Sequence, residues 1–265
     1  MLKVCLVGVC GKMGSTIAGE TLNYKDRVKV VSGVDVACSD FAAKSFNALG
    51  ARVFTPTGLE EALREADMSI NFSTPAAEIE LVPRIARAGK NIVLGTTGFS
   101  EEQTQRIREE IVKNGVSAVI SPNFSFLVNT QFYLAQKACE LIGNKGYEFG
   151  IVEEHHSGKK DSPSGTAKKL AKIISDATGG KKLKFRGEEI GVKEKNDLEM
   201  GTLRLGGNPG QHELRIAGPY GKLSIETQMF SRSEFAKGAI ESALWLEKNV
   251  ERGKIFGMED VLGLR

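Results

Sequence analysis

Cysteine is scarce in this chain, with only 4 residues among 265. Cys5, Cys10, Cys38 and Cys139 have no paired spacing and stand mostly among apolar neighbours. This usage excludes a small secreted scaffold held together by disulfides. We therefore expect reduced thiols and a cytoplasmic location.

A long apolar run, a strong charge of one sign and an internal repeat are also missing. No segment approaches the length of a membrane span, and we expect no signal peptide because the chain runs straight into a strand pattern. The net charge is only +3, with basic residues interleaved among acidic ones, which argues against a nucleic-acid partner. The remaining composition is ordinary for a globular protein of one large or two modest domains.

A glycine-rich turn follows the first strand pattern, Lys3 to Val9. The turn reads Gly8-Val9-Cys10-Gly11-Lys12-Met13-Gly14, and a helical pattern follows over residues 15–24. Glycines let the backbone approach a pyrophosphate, whose charge then meets the helix N-terminus. Because the spacing is G-x-x-G-x-x-G rather than G-x-G-x-x-G, the motif alone fits a purely structural turn equally well.

The second strand pattern, Lys29 to Val36, carries an acidic residue near its end. At that place Asp35 is suited to accept hydrogen bonds from the adenosine ribose hydroxyls. Val36 follows, where an NADP-binding protein would more usefully carry Arg, and this favours NADH. Lys12 in the glycine loop can meet a phosphate, so NADPH stays open. The alternative reading of Asp35 is a solvated side chain at a strand end.

Strands and helices continue to alternate as far as residue 125. Further strands are expected at 52–54, 68–72, 91–94 and 116–120, and helices at 40–49, 58–66, 75–88 and after the cap Ser100. This rhythm predicts an α/β fold, a Rossmann-like doubly wound parallel sheet whose carboxyl edge collects the loops. We expect Ser73-Thr74, Gly95-Thr96-Thr97 and Pro122-Asn123-Phe124 to hold the nicotinamide half of a dinucleotide.

Residues 153–167 form the most distinctive stretch, Glu-Glu-His-His-Ser-Gly-Lys-Lys-Asp-Ser-Pro-Ser-Gly-Thr-Ala. It follows a strand pattern, Tyr147 to Val152, and leads into a helical pattern. Imidazole, ammonium and a helix N-terminus together indicate an anionic substrate that is protonated during the reaction. The plainer alternative is a solvated loop in which Ser164 or Thr166 only caps a helix. A metal site is set aside, because adjacent His residues on a strand point to opposite faces.

Beyond the His-His stretch the strand-helix rhythm breaks. A helix is expected to about residue 178, followed by short strands at 201–205, 212–217 and 222–227. These patterns predict a second α+β region on a mixed or antiparallel sheet. The charged segment 181–199 is interpreted as a surface excursion, 233–250 as a final helix and 255–258 as a docking tail.

These motifs resemble those of the 4-hydroxy-tetrahydrodipicolinate reductase family, formerly called dihydrodipicolinate reductases. The resemblance rests on the glycine loop, the Gly95–Gly98 and Pro122–Ser125 loops, the stretch 153–167 and two late segments, 204–212 and 235–239. It implies NAD(P)H-dependent reduction of a cyclic imine dicarboxylate in lysine biosynthesis by a cytoplasmic homotetramer. It also implies a dinucleotide-binding domain, 1–125 plus 234–265, and a substrate-binding and oligomerisation domain, 126–233, with hinges that let the cleft close.

The resemblance implies site residues as well. His155 corresponds to the proposed proton donor and Lys159 to a second general acid, and either can deliver the proton that the reduced carbon needs. His156, Gly165 and Thr166 correspond to substrate contacts. The residues implied to hold the cofactor are Gly8, Val9, Cys10, Gly11, Lys12, Met13, Asp35, Gly95, Thr96, Thr97, Ser121, Pro122, Asn123 and Phe124.

Two other functions remain open at this point. One is a different NAD(P)-dependent dehydrogenase acting on another small dicarboxylate. The other is a nucleotide-sensing protein that kept the fold but lost the chemistry. The intact pair His155 and Lys159 argues against the sensor, which has no need of two acids.

Overall fold

The computed structural model describes residues 1–39, 44, 46–48, 50–185, 191–194 and 196–264. The chain divides into two compact units, Met1–Phe126 with Ser233–Arg265, and Leu127–Arg232. None of the helices in these described ranges combines the length and apolarity that a membrane crossing requires.

Strands and helices alternate along most of the chain. The strands are β1 (Leu2–Val7), β2 (Val28–Val34), β3 (Arg52–Phe54), β4 (Met68–Asn71), β5 (Asn91–Leu94), β6 (Ala118–Ile120), β7 (Glu148–His155), β8 (Lys182–Lys184), β9 (Asp197–Arg204), β10 (Gly210–Gly218), β11 (Gly221–Met229) and β12 (Ile255–Phe256). The helices are α1 (Lys12–Glu20), α2 (Leu59–Ala62), α3 (Pro75–Arg87), α4 (Glu101–Asn114), α5 (Phe126–Ile142), α6 (Gly165–Ala177), α7 (Ser233–Lys248) and α8 (Met258–Val261). Short 3-10 turns occupy Thr21–Tyr24 and Pro56–Gly58.

The first unit is built on a parallel sheet of seven strands in the order β12-β6-β5-β4-β1-β2-β3. β1, an interior strand of this sheet, is apolar on both faces. Val4 and Leu6 pack in one core with α1 and α7, whereas Cys5 and Val7 pack in a second core with α2, α3 and α4. Helices therefore cover both faces of the sheet, and the predicted Rossmann-like doubly wound fold is confirmed.

The second unit carries a mixed sheet of five strands in the order β11-β10-β7-β9-β8. β10 pairs antiparallel with β11 and β7, while β9 pairs parallel with β7 and β8. Burial alternates along β7, with Phe149, Ile151, Glu153 and His155 buried on the face against which α6 packs. The predicted second α+β fold on a mixed sheet is confirmed.

Three sequence-based expectations about the elements need correction. The strand expected to end at Val152 continues to His155, so Glu153 and His155 are strand residues rather than loop residues. The excursion expected over 181–199 contains β8 and the start of β9, although 186–190 and 195 lie outside the described residues. The helix expected over 58–66 shortens to α2. Of the helix expected over 40–49, residues 44 and 46–48 are helical, and the others lie outside the described residues.

Candidate active site

A cleft of about 600 Å³ lies at the carboxyl edge of the first unit's parallel sheet. The strands β1 to β3 are added in one direction across the sheet, and β4 to β6 are added in the other direction on the opposite side of β1. The gap between β1 and β4 is therefore the topological switch point, where doubly wound folds bind their ligands. The loops after β1, β2, β4 and β5 all contribute to it. Nine of the predicted cofactor residues line this first-unit cleft: Gly8, Cys10, Gly11, Lys12, Met13, Asp35, Gly95, Thr96 and Thr97. Ser73 and Thr74 line it too.

Glycines keep the wall of the first-unit cleft thin. Gly8 has a φ of +78°, and a Cβ there would collide with the carbonyl of Phe72. A Cβ at Gly14 would collide with the backbone of Gly8 and Val9, so α1 could not approach β1 as closely. A Cβ at Gly95 would overlap the Phe72 ring. The glycine loop is thus required by packing and also leaves backbone open to a phosphate.

Asp35 lies at the end of β2 and faces this glycine loop. Its Oδ2 accepts a hydrogen bond from the backbone N–H of Cys10 at 2.8 Å, and its Oδ1 accepts one from Val36 at 2.8 Å. Each carboxylate oxygen keeps a further lone pair for a ribose hydroxyl. Val36 is 77% exposed beside the first-unit cleft and offers no charge to a 2′-phosphate.

A disulfide joins Cys10 in the glycine loop to Cys38 beyond Asp35, with a Cα–Cα distance of 5.6 Å. The expectation of four reduced thiols is therefore wrong for this pair. The residues stand 28 positions apart, and only the parallel pairing of β1 with β2 brings the two following loops together. Cys5 and Cys139 are free and buried.

A buried carboxylate, Glu78 of α3, ties together two loops of the first-unit cleft. It accepts hydrogen bonds from the Asn71 amide at 2.7 Å, the Ser73 hydroxyl at 2.6 Å and the Thr96 hydroxyl at 3.0 Å. Burial raises the pKa of Glu78, while these three donors oppose the rise. Sequence reasoning missed this residue, because Glu at that place reads as an ordinary acid in a first helical turn.

The other predicted cofactor residues do not line the first-unit cleft. Val9 is completely buried in the core beside Gly33. Ser121, Pro122, Asn123 and Phe124 follow β6 at the same sheet edge, where the Ser121 hydroxyl donates to the Asn123 carbonyl at 2.7 Å. The Phe124 ring is buried 5.7 Å from the ring of Phe72. Their contact with a cofactor stays a prediction.

In the second unit, strand alternation and register gather four polar side chains on one buried face. Glu153 and His155 are two apart on β7 and therefore share that face. His212 of β10 stands opposite Glu153, and Arg204 of β9 stands beside His155. The rings of His155 and His212 meet edge to face, with centroids 5.0 Å apart.

Glu153 is at the centre of this cluster and is completely buried. Its Oε1 accepts hydrogen bonds from Arg204 at 2.9 Å and from the backbone N–H of Ser164 at 3.1 Å. Its Oε2 lies 3.2 Å from His155 Nδ1. Burial opposes ionisation of this carboxyl, but His155, Ser164 and Arg204 together outweigh burial and hold the pKa of Glu153 well below its usual range.

His212 is buried and neutral. Burial first, and then the positive field of His155, lower its pKa to about 3. Its Nε2 lies 2.9 Å from the Ser164 hydroxyl. That hydroxyl also accepts the N–H of Ala167 at 3.1 Å and so caps α6.

Lys159 lies in the loop between β7 and α6, and its ammonium pairs with Asp161 at 2.7 Å. The Lys159 ammonium lowers the pKa of Asp161. Arg204 donates to the backbone carbonyl of Asp161 at 2.8 Å while it holds Glu153, so the loop is tied to the buried cluster.

The predicted substrate contacts surround the start of α6. His156 follows the end of β7 on the opposite face from His155 and is half-buried, as strand alternation requires. Gly165 and Thr166 are the first two residues of α6 after the cap Ser164. The first N–H groups of a helix favour a carboxylate. The sequence-based expectation of a capped helix behind the His-His pair is thus met by Ser164.

In the described part of the chain, one group of residues has the composition of a metal site, namely Glu153, His155 and His212, whose ligand atoms lie within 4.8 Å of one another. Two of these three residues already have other hydrogen-bond partners. Arg204 holds the carboxylate, and Ser164 hydrogen-bonds to His212. A cation would meet a guanidinium in place, so the geometry favours a hydrogen-bonded network over a metal centre.

Comparison with known proteins adds the family. Family models described as dihydrodipicolinate reductase, N-terminus and C-terminus, match residues 2–124 and 128–262. The 4-hydroxy-tetrahydrodipicolinate reductase of Methanosarcina barkeri is 38% identical, and all of each chain is covered. The enzyme of the same name from Methanopyrus kandleri is 35% identical, covering 99% of this chain and 97% of the relative.

Solved structures agree on the fold. A dipicolinate-bound dihydrodipicolinate reductase from Paenisporosarcina sp. TG-14 superposes with a TM-score of 0.77 at 22% identity, covering 98% of this chain and 99% of the other. The WlbA dehydrogenase of Chromobacterium violaceum, in complex with NADH and UDP-GlcNAcA, has a TM-score of 0.58 at 13% identity and covers 100% of this chain and 87% of the other.

Proposed function

The chain belongs to the dihydrodipicolinate reductase family, and from that membership we propose that it reduces 4-hydroxy-tetrahydrodipicolinate to tetrahydrodipicolinate, with loss of water, in lysine biosynthesis. The observation that carries the proposal is the match over the whole chain to proteins named 4-hydroxy-tetrahydrodipicolinate reductase. The resemblance drawn from the motifs is thereby confirmed.

The first-unit cleft suits a nicotinamide dinucleotide. Gly8 and Gly95 leave space that a Cβ would fill, and the loop between Gly8 and α1 opens at a helix N-terminus suited to a pyrophosphate. Asp35 offers two carboxylate oxygens for ribose hydroxyls. When bound, the reduced cofactor supplies the hydride. The protein holds the ring and keeps the rest of the site free of competing chemistry.

The second unit supplies the proton. Loss of the 4-hydroxyl group as water gives a conjugated imine, and hydride addition to that imine leaves an enamine carbon that must be protonated. His155 and Lys159 are the acids that we propose for this protonation. The Lys159 ammonium also stabilises the charge of an anionic substrate. We assign the substrate's carboxylates to His156 and to the helix start at Gly165 and Thr166, whose N–H groups favour anions.

For the cofactor, NADH is the form we propose as preferred, with NADPH accepted less well. The support is local. Asp35 would repel a 2′-phosphate, and Val36 offers no positive charge to offset that repulsion. Lys12 is the basic side chain lining the first-unit cleft, and it leaves some capacity for NADPH.

A coupled assay tests the function directly. Freshly made product of the preceding synthase is supplied, and oxidation of NADH and of NADPH is followed in parallel. Lys159→Ala should abolish turnover, because an ammonium near the reacting carbon is lost, yet leave NADH binding nearly intact. Lys160→Ala is the matched control, since this neighbouring lysine is exposed, and it should retain turnover.

Other results of this assay would indicate a different function. Turnover with aspartate or another dicarboxylate but not with the synthase product would indicate a different dehydrogenase. Tight NADH binding without turnover of any dicarboxylate would indicate a nucleotide sensor. Unchanged turnover in Lys159→Ala would remove that lysine from the mechanism.

We propose in addition that the protein is cytoplasmic and forms a homotetramer. The first part rests on the family resemblance alone. The reduced-thiol argument does not support it, given the Cys10–Cys38 pair. The second part is supported by the uncovered face of the second sheet, where Val152 is half-buried and Leu203 is half-exposed.

A further inference from the structure

We infer that Glu153 is a positioning residue for the reaction: its carboxylate fixes His155 with the proton on Nδ1, so that Nε2 is the nitrogen that exchanges the proton with substrate. The inference rests on the proposed function. It assigns a role to a buried side chain that would not touch the substrate.

The first step of the argument is the pairing of two buried atoms. Glu153 Oε2 and His155 Nδ1 are both buried, and among the described residues neither has a hydrogen-bond partner at good geometry, each other included. They lie 3.2 Å apart. Because buried polar atoms are rarely left unpaired, we infer that a small rotation of the ring or the carboxylate lets this oxygen accept the Nδ1–H of His155.

The second step concerns what keeps Glu153 charged and still. Arg204 and the Ser164 N–H both donate to Oε1, which leaves Oε2 for the imidazole. His212 Nε2 is 3.7 Å from Oε2, and its own hydrogen bond goes to the Ser164 hydroxyl. The charged and titratable groups around His155 are therefore Glu153 on its own strand, Arg204 on β9 and His212 on β10. Lys159, from the loop before α6, acts electrostatically on His212.

The third step concerns the opposite edge of the imidazole. A Cβ at Gly210 would stand 3.1 Å from His155 Nε2, so only glycine leaves that nitrogen unobstructed on this side. With Nδ1–H held by Glu153 in either protonation state, the proton that is transferred is the one on Nε2. A fixed tautomer of this kind is what a carboxylate supplies to a histidine acid or base.

Glu153→Gln gives a sharp test. The amide oxygen should occupy the Oε1 position, because Arg204 and Ser164 both donate there, and this leaves the NH₂ group facing His155 Nδ1. An NH₂ donor demands an unprotonated Nδ1, so the proton moves to Nε2 and the tautomer inverts. We expect kcat to fall about 100-fold or more, with KM changed less than about threefold.

Three companions make the result interpretable. Glu153→Asp keeps the carboxylate and should recover kcat to within about tenfold of the wild type. Glu154→Gln is the matched control on the opposite face of β7, where that side chain meets Asn208, and it should leave kcat unchanged. Long-range nitrogen–proton NMR of the 3 histidines reads the tautomer of His155 directly, with assignment from single His variants.

Failure of the inference and failure of the proposed function are distinguishable. A wild-type protein that does not reduce the synthase product would overturn the function, whereas the NMR tautomer still decides the inference. Wild-type kcat in Glu153→Gln, or an Nε2–H tautomer in the wild type, would overturn the role of Glu153 while the function stands. Equal loss of kcat in Glu153→Asp and Glu153→Gln would also contradict it, because the charge would then confer no advantage.

Discussion

At the scale of single residues, Gly210 shows how the absence of a side chain makes room for the proposed proton donor, His155. It begins β10, and its missing Cβ leaves room for the His155 ring. A Cβ added at Gly210 would lie 3.1 Å from Nε2 and 3.3 Å from Cδ2 of His155, a few tenths of an ångström inside ordinary van der Waals contact. The imidazole must move if a methyl group is added.

We expect Gly210→Ala to lower kcat about tenfold or more, because a displaced imidazole no longer presents Nε2 to the substrate. NADH affinity, measured by fluorescence titration, should be unchanged, since Gly210 belongs to the second unit. Gly207→Ala is the control, because no atom lies near a Cβ there. Equal kcat in both variants would mean that the ring tolerates the methyl group.

His212 makes a separate prediction about pH. Its folded-state pKa, about 3, lies below the ordinary value of 6.5, so the unfolded chain takes up the proton first. Stability from this residue is therefore complete above pH 6.5 and is lost as pH falls towards 3. In wild type, the free energy of unfolding should drop by up to about 1.4 kcal/mol per pH unit on this account.

His212→Gln removes that proton uptake. Urea unfolding at several pH values between 6.5 and 4.5 should give a flatter curve for the variant than for the wild type. The interval stops at 4.5 because Glu153, whose pKa is lowered, begins to lose its contribution below that pH. Parallel curves would show that His212 titrates alike in the folded and unfolded chains.

The sequence alone predicts some residues of the candidate site and misses others. His155 and Lys159 were identifiable because adjacent His, Lys and a helix cap form a local motif. Glu153 had a signal, since residues two apart on a strand share a face, but the strand was expected to stop at Val152. Arg204 and His212 come from other strands, and only register places them beside Glu153. Register is a tertiary property that one sequence does not reveal.

At the scale of elements, the loops after β1 and β2 are joined by the Cys10–Cys38 disulfide. These loops carry the glycine turn and Asp35. The crosslink closes a span of 28 residues, and removing it raises the conformational entropy of the unfolded chain. A loop of that length corresponds to about 3.6 kcal/mol of stability in the chain-entropy treatment.

Thiol counting tests the disulfide. After unfolding without reductant, an alkylating reagent should label two cysteines, Cys5 and Cys139, and after reduction it should label all 4. In the folded protein even these two should react slowly, because burial raises the pKa of each thiol to about 11. Four labelled thiols without reductant would contradict the pairing.

Most strands and helices of the first unit are predicted from the sequence, because their local patterns are clear. Buried parallel strands are short apolar runs, and Ser100 with Gln103 forms a capping box before α4 that the sequence signals. The sequence patterns predict the strands of the second unit less well. There β8 is a polar, exposed edge strand, and the start of β9 is buried but carries Asp197 and Glu199, so their pairing leaves little trace in the pattern.

At the scale of the whole molecule, the mixed sheet of the second unit has one face covered by helix and one left bare. The bare face carries Gly150 and Val152 on β7 and Gly201 and Leu203 on β9, as alternation from the buried positions requires. The same face also carries charged residues, since Glu154 pairs with Leu203 and Glu213 pairs with Val152. Such a surface can pack against the same face of another copy, in keeping with the proposed homotetramer.

Leu203→Glu should therefore shift the protein from a tetramer to smaller species, because a carboxylate would be buried where a second copy packs. Light scattering coupled to gel filtration measures the mass, with the wild type expected near four times the 28.7 kDa of one chain. Val112→Glu is the control, since Val112 is 56% exposed on α4 in the first unit, and it should leave the mass unchanged. A wild-type mass of one chain would exclude the tetramer. A tetrameric Leu203→Glu would instead place the subunit contact on another surface, because the new carboxylate would stand beside Glu154 and be desolvated with it wherever a second copy packs on this face.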